Sequence, residues 1–211
     1  MNFSELFEIN KDHEVKVEYY NDTKIFYIDN FYKRPREIVH WTMRQSVPLW
    51  KGDQTPSYNG INFFDHRHSI DIEELEPVYN YIQNLWRNAS HDKNVFVTNL
   101  TKFVENNFND YENNYWWPHR DKGQTAIIYL DEDEGDGTNL YEVITPDTEK
   151  RKEHETPWRP KKYWKLGKTL PSAYNRMVSF EADKIFHGAA ISDDKFFKHY
   201  RLNQALFFDR I

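Results

Sequence analysis

The sequence predicts a mainly β domain, a sandwich or barrel preceded by a smaller helical region. Three observations predict it. Short apolar runs rich in β-branched and aromatic residues recur from residue 94 onward, separated by turn residues. Two stretches with helical apolar spacing lie before residue 93. Aromatic residues make up 17% of the 211-residue chain, which suits a well-filled interior or an aromatic-lined cleft. The length fits a single domain, 1–211. Residues 1–93 form its supporting region and 94–211 its β core.

Taken in order, residues 1–22 are polar and weakly patterned and read as an arm laid over the domain. Lys24–Ile28 is a run of strand formers ended by Asp29-Asn30. Pro35 opens a helix, where its missing N–H costs little, and Pro48 closes it. Residues 50–69 read as loop. Asp71–Arg87 reads as a second helix: Ile72, Leu75, Val78, Tyr79, Ile82, Leu85 and Trp86 recur at its period, and Asp71 is a candidate cap.

The β core then begins. Val95–Val104, Thr125–Leu130, Thr138–Ile144, Asn175–Phe180, Phe186–Ala190 and Tyr200–Phe208 are expected strands, and Asp136-Gly137 is a turn signal. Residues 145–173 break the rhythm with four prolines, Trp158, Tyr163, Trp164 and several Lys and Arg. They read as an irregular loop insertion, either a substrate lid or a solvated surface loop.

Composition excludes several classes of function. Cysteine is absent, so disulfides and thiolate metal sites are excluded, and any metal must be held by nitrogen and oxygen. A net charge of −6 argues against a nucleic-acid-tracking surface. The N-terminal residues lack a signal peptide's apolar run, and no stretch is long enough to span a bilayer. The expectation is a soluble cytoplasmic protein with no membrane partner.

The chemistry concentrates in Trp116-Trp117-Pro118-His119-Arg120-Asp121. On an extended strand, His119 and Asp121 point to one face and can hold a divalent metal together. A second His in a strand-like setting, His187, stands beside the small Gly188. Two His and one carboxylate with open positions form the facial arrangement of non-haem iron oxygenases. His66 and His68 share the i, i+2 spacing and are the internal competitor, in a loop-like setting. Arg201 follows His187 by fourteen residues, at the head of the last apolar strand. A guanidinium entering a β interior needs an anionic partner, and Arg binds carboxylates bidentately. A dicarboxylate cosubstrate is therefore a natural candidate.

These residues resemble the signature of the Fe(II)- and 2-oxoglutarate-dependent oxygenases: His119-Arg120-Asp121, then His187, then Arg201. Tyr129-Leu130-Asp131 with Gly135-Asp136-Gly137-Thr138, and Asn175–Phe180 leading to His187, resemble the prolyl-hydroxylase-like branch. Ile28–Tyr32 before a Pro-started helix is similar to small bacterial and phage members. The likeness covers about residues 24–211 and is most specific in the C-terminal half.

The resemblance implies a double-stranded β-helix (a jelly roll, cupin-like) with the N-terminal helices packed on one sheet. It implies that His119, Asp121 and His187 hold Fe(II), and that Arg201 pairs with the distal carboxylate of 2-oxoglutarate. Tyr129 resembles the tyrosine that hydrogen-bonds that carboxylate, and Asn203 stands where many relatives carry Ser or Thr. Implied with them is a hydroxylase consuming 2-oxoglutarate and O2 and releasing succinate and CO2, acting on a peptidyl residue, a free amino acid or another small metabolite. Two other readings stay open: a jelly-roll binding module without turnover, and a metal hydrolase or isomerase using the same ligands. Trp116, Trp117 and the 145–173 loop are candidates for lining a peptide groove, and the acidic run Asp131–Glu134 for attracting a basic substrate.

Overall fold

The computed structural model describes residues 3–45, 64–69, 75–87, 89–102, 118–132, 137–148, 161–190 and 201–210. The protein is mostly β, with two antiparallel sheets and few helices. Among the described residues three α-helices, α1 (Phe3–Leu6), α2 (Pro35–Met43) and α3 (Glu76–Trp86), lie in the N-terminal part. The strands are β1 (Val15–Tyr20), β2 (Thr23–Ile28), β3 (Phe64–Ser69), β4 (Ala89–Lys102), β5 (Gln124–Tyr129), β6 (Thr138–Val143), β7 (Trp164–Leu170), β8 (Arg176–Phe180), β9 (Phe186–Ala189) and β10 (Arg201–Arg210). The larger sheet runs β1-β2-β8-β5-β10-β4-β3 and the smaller runs β7-β6-β9. An isolated bridge from His119 to His187 extends the smaller sheet beyond β9.

The central strands of the larger sheet are apolar on both faces because both faces are covered. Ile25, Tyr27, Tyr129, Val178 and Phe180 join Leu140 of β6 and Leu170 of β7 in one cluster between the sheets. The alternate residues Ile28, Ala126, Ile128, Met177, Leu202 and Leu206 point the other way. There they meet Ile38 of α2 and Val78, Tyr79 and Ile82 of α3, so the helices pack on the outer face of the larger sheet. Trp86 of α3 seals this layer: its ring meets Phe26 edge-on at 4.8 Å, and its indole N–H donates to Ser179 Oγ at 2.8 Å. α2 and α3 each have a Pro in the first turn, and α3 stops at Arg87 in the left-handed region.

Three stretches depart from the expectations. The supposed arm contains a strand, β1, hairpinned to β2 through Asn21-Asp22, with Asn21 at φ 49. Asn accepts a positive φ that a two-residue hairpin requires, so no Gly advertises this turn. The supposed loop 50–69 ends in β3, which pairs with β4 along Phe64–Ser69. The supposed loop insertion 145–173 contains β7, which pairs with β6 along Trp164–Leu170. Among the described residues β7 ends the smaller sheet, and it is exposed along most of its length, so it carries no buried alternating pattern. The N-cap position of α3 falls on Leu75, with no side-chain hydrogen bond there, and not on the expected Asp71. Trp116, Trp117, Asp133, Glu134 and residues 149–160 and 191–200 lie outside the described residues. No described helix is long and apolar enough to cross a membrane.

Candidate metal centre

His119 and His187 are brought together by sheet register. They exchange both backbone hydrogen bonds, His119 N–H to His187 O at 3.0 Å and His187 N–H to His119 O at 2.8 Å. Residues paired in this way project their side chains to the same face, about 5.5 Å apart at Cα. The imidazole centroids are 4.7 Å apart. Asp121, two residues after His119, enters the same space. One ligand atom from each of the three lies within 4.8 Å of the others, and no other such group of three exists among the described residues.

The donors are graded in exposure. The side chain of His187 is 5% exposed, that of Asp121 26% and that of His119 48%. The group is therefore anchored on its buried side and open on the other. Phe180 supports the buried side, meeting the His187 ring edge-on at 4.9 Å. Thr125 Oγ1 lies 3.5 Å from Asp121 Oδ2 and steadies the carboxylate. Burial pushes the Asp121 carboxyl up, but the hydrogen bond with His187 and the charges of His187 and His119 outweigh it and hold it below the usual range.

The donor chemistry fits a cation. His187 Nδ1 faces the Ile185 carbonyl oxygen at 3.3 Å, and donating to it leaves a lone pair on Nε2. That lone pair looks at Asp121 Oδ2 across 3.1 Å. Two acceptors facing each other need a positive charge between them, either a proton or a metal ion. Cis ligands about 2.1 Å from one metal sit about 3 Å apart, so the His187–Asp121 spacing already matches a shared ion. His119 Nε2, 3.9 Å from Asp121 Oδ1, needs only a small side-chain rotation to join. His119, Asp121 and His187 thus form a group able to bind a metal, and these donors are compatible with iron.

The other predicted residues lie on the inner face of the larger sheet. Arg201 is buried at the start of β10; its Nη2 donates to the Gly137 carbonyl at 2.8 Å and its guanidinium sits 5.6 Å from the Tyr129 ring centroid. Tyr129 is buried and its hydroxyl is 2.8 Å from Thr138 Oγ1. Burial pushes the Tyr129 hydroxyl up, against the opposing effects of Arg201 and Thr138, so it stays protonated. Asn203 is buried and stands opposite Tyr129 in the β5–β10 register, hence on the same face. Thr125, Ile127 and Tyr129 alternate along that face of β5. Thr125, beside Asp121, and Tyr129, beside Arg201, mark the two ends of this row, roughly 13 Å apart along the strand.

Three contributors went unrecognised in the sequence. Thr125 sits four residues past Asp121, Thr138 follows the Gly-Asp-Gly turn signal, and Phe180 ends an apolar strand. Each looks like ordinary strand composition, and only the register shows what it touches. The competing pair His66 and His68 lies on β3, and only its backbone is described. Comparison of the chain with protein-family models and with curated proteins returned no match.

Proposed function

We propose that the protein is a double-stranded β-helix oxygenase dependent on Fe(II) and 2-oxoglutarate, hydroxylating a peptidyl residue or a small metabolite. The observation that carries this reading is a His119–Asp121–His187 group able to hold a metal, with a buried arginine on the same side of the larger sheet. A hydrolase or isomerase has use for the three ligands but no reason to aim a guanidinium into the same interior. The strand order supports the jelly-roll reading. From β4 onward the chain alternates between layers: β4 in the larger sheet, the His119 bridge in the smaller, β5 larger, β6 and β7 smaller, β8 larger, β9 smaller, β10 larger. That alternation winds two sheets from one chain.

His119, Asp121 and His187 would hold the iron and leave half of its coordination sphere open. When bound, iron, 2-oxoglutarate and O2 supply an oxidative decarboxylation to succinate and CO2 together with oxygen insertion into a substrate C–H bond. The chain's own contribution is positional. The Ile185 carbonyl fixes the His187 tautomer, and Thr125 orients Asp121. Arg201 and the protonated Tyr129 hydroxyl receive the distal carboxylate of the cosubstrate, with Asn203 beside them. Phe180 and the inter-sheet cluster exclude water from the buried side. This division of labour places geometry in the protein and oxidation in the cofactor.

Calorimetric titration of 2-oxoglutarate into Mn(II)-loaded protein tests the reading. Saturable one-to-one binding is expected, abolished by omitting metal or by Asp121→Ala and weakened at least tenfold by Arg201→Met. Metal binding without any affinity for 2-oxoglutarate would overturn it.

A further inference from the structure

We propose that the protein forms a symmetric dimer by pairing β1 with β1 of a second copy, joining the two larger sheets into one. β1 ends the larger sheet, and among the described residues no strand pairs with its outer edge. Its register with β2 is regular from Val15↔Ile28 to Tyr20↔Thr23, with no bulge, proline or glycine. Bulges and proline, two of the devices that blunt an edge, are thus absent. The charges of β1, Lys16 and Glu18, are of opposite sign and pair with each other at 2.6 Å, so they do not repel a second strand of the same sequence.

The hairpin geometry decides which groups face outward. A two-residue turn makes Tyr20↔Thr23 a hydrogen-bonded pair, so Lys16, Glu18 and Tyr20 direct their backbone groups to β2. Val15, Val17 and Tyr19 then direct theirs to the open edge. The same three residues carry exposed apolar side chains, at 36%, 43% and 67%. The alternate side chains are engaged on the other face: Glu18 with Lys168 at 2.8 Å, Lys16 over the Tyr27 ring, and Tyr20 on Glu142.

The occupant is a second copy because the strand complements itself in one antiparallel register. With Val17 opposite Val17 of the second copy, Val15 meets Tyr19 and Lys16 meets Glu18, twice by symmetry. About six backbone hydrogen bonds close, all from residues pointing to the edge. The apolar stripe becomes continuous, and each opposed pair is attractive. Sliding by two residues in one direction sets Lys16 against Lys16, and in the other sets Glu18 against Glu18. Sliding by one places apolar side chains against the charged face. Like-charge repulsion and facial mismatch therefore select the Val17-centred register, and its two-fold symmetry closes the assembly as a dimer.

Sedimentation velocity of the full chain at high micromolar concentration tests this. The expected mass is twice 25.7 kDa, and Val17→Lys, which opposes two ammonium groups at the dyad, should return it to 25.7 kDa with an unchanged circular dichroism spectrum. The chain has no cysteine, so single substitutions read the register directly. Val17→Cys places two thiols across a pair with Cα atoms about 5.5 Å apart, within disulfide range. It should oxidise to a covalent dimer, whereas Tyr19→Cys, with its two copies roughly 13 Å apart, should not. A monomeric wild-type protein, or a dimer that forms no Val17→Cys cross-link, would overturn the proposal.

Discussion

Gly137 lies immediately before β6, and its carbonyl oxygen accepts from both Arg201 Nη2 at 2.8 Å and Ala190 N–H at 2.9 Å. It thereby ties together β10, the end of β9 and the smaller sheet. A Cβ at this position would lie 1.9 Å from the Leu170 carbonyl oxygen and 2.6 Å from the Ser172 nitrogen. Both obstacles are backbone. An ordinary Cβ contact begins near 3.4 Å, so Gly137→Ala forces a separation of roughly 1.5 Å between this segment and the end of β7. Overpacking of this kind costs about 1–3 kcal/mol. The displaced carbonyl also loses one or both hydrogen bonds, at about 1 kcal/mol each. The total is about 2–5 kcal/mol, or roughly 4–20 °C in melting temperature for a domain of this size. Gly167→Ala is the control. Its Cβ would meet the Tyr20 hydroxyl, the end of a side chain that can swing away, so its loss should be the smaller. Calorimetric melting of both variants decides. A Gly137→Ala protein that melts with the wild type would refute the close approach of β6 to β7 and the anchoring of Arg201 through it.

Other outcomes follow from the same geometry. Tyr129→Phe removes the contact with Thr138 and leaves a buried hydroxyl unsatisfied, so urea unfolding should report a loss of about 1–2 kcal/mol. On the proposed function the same variant should bind 2-oxoglutarate roughly ten- to a hundredfold more weakly, read by calorimetry, because a hydrogen bond to a charged carboxylate is lost. Glu18 is held at about 2, from an ordinary 4.5, by hydrogen bonds from Lys16 first and Lys168 second. A depressed carboxyl stabilises the fold above its unfolded value and loses that contribution as pH falls through the folded one. The wild type should therefore exceed Glu18→Gln in urea midpoint at pH 7, with the gap closing between about pH 4.5 and pH 2. The gap should be modest, since the pair is solvent-screened. A gap that stays constant down to pH 2 would contradict the assignment.

The elements most legible in the sequence are those whose burial is two-sided. β2, β5, β8 and β10 are apolar along both faces because one face packs under the helices and the other against the smaller sheet. The edge strands β1, β3 and β7 were missed for the opposite reason. VKVEYY and WKLGKTL mix charge with apolar residues because these edge strands do not bury both faces, and FDHRHS likewise mixes the two in its sequence. At the site, the His119–Asp121 spacing reads directly as a shared face. The partnership with His187 does not, because it depends on a pairing across sixty-six residues from Asp121 that only sheet register reveals. Arg201 was legible as a charge at the head of an apolar strand. Its anchor on Gly137 was not, since a backbone carbonyl leaves no mark in composition.

The proposed function requires His119, Asp121 and His187 to hold one iron whose open positions accept 2-oxoglutarate. Anaerobic addition of 2-oxoglutarate to the Fe(II)-loaded protein tests it most directly, by the visible charge-transfer band of a keto acid chelated to iron. A saturable band is expected, one that disappears in His119→Ala, Asp121→Ala and His187→Ala and needs more 2-oxoglutarate to saturate in Arg201→Met. Iron bound with no band at any 2-oxoglutarate concentration would contradict the cosubstrate assignment, and a band that survives Asp121→Ala would contradict the site.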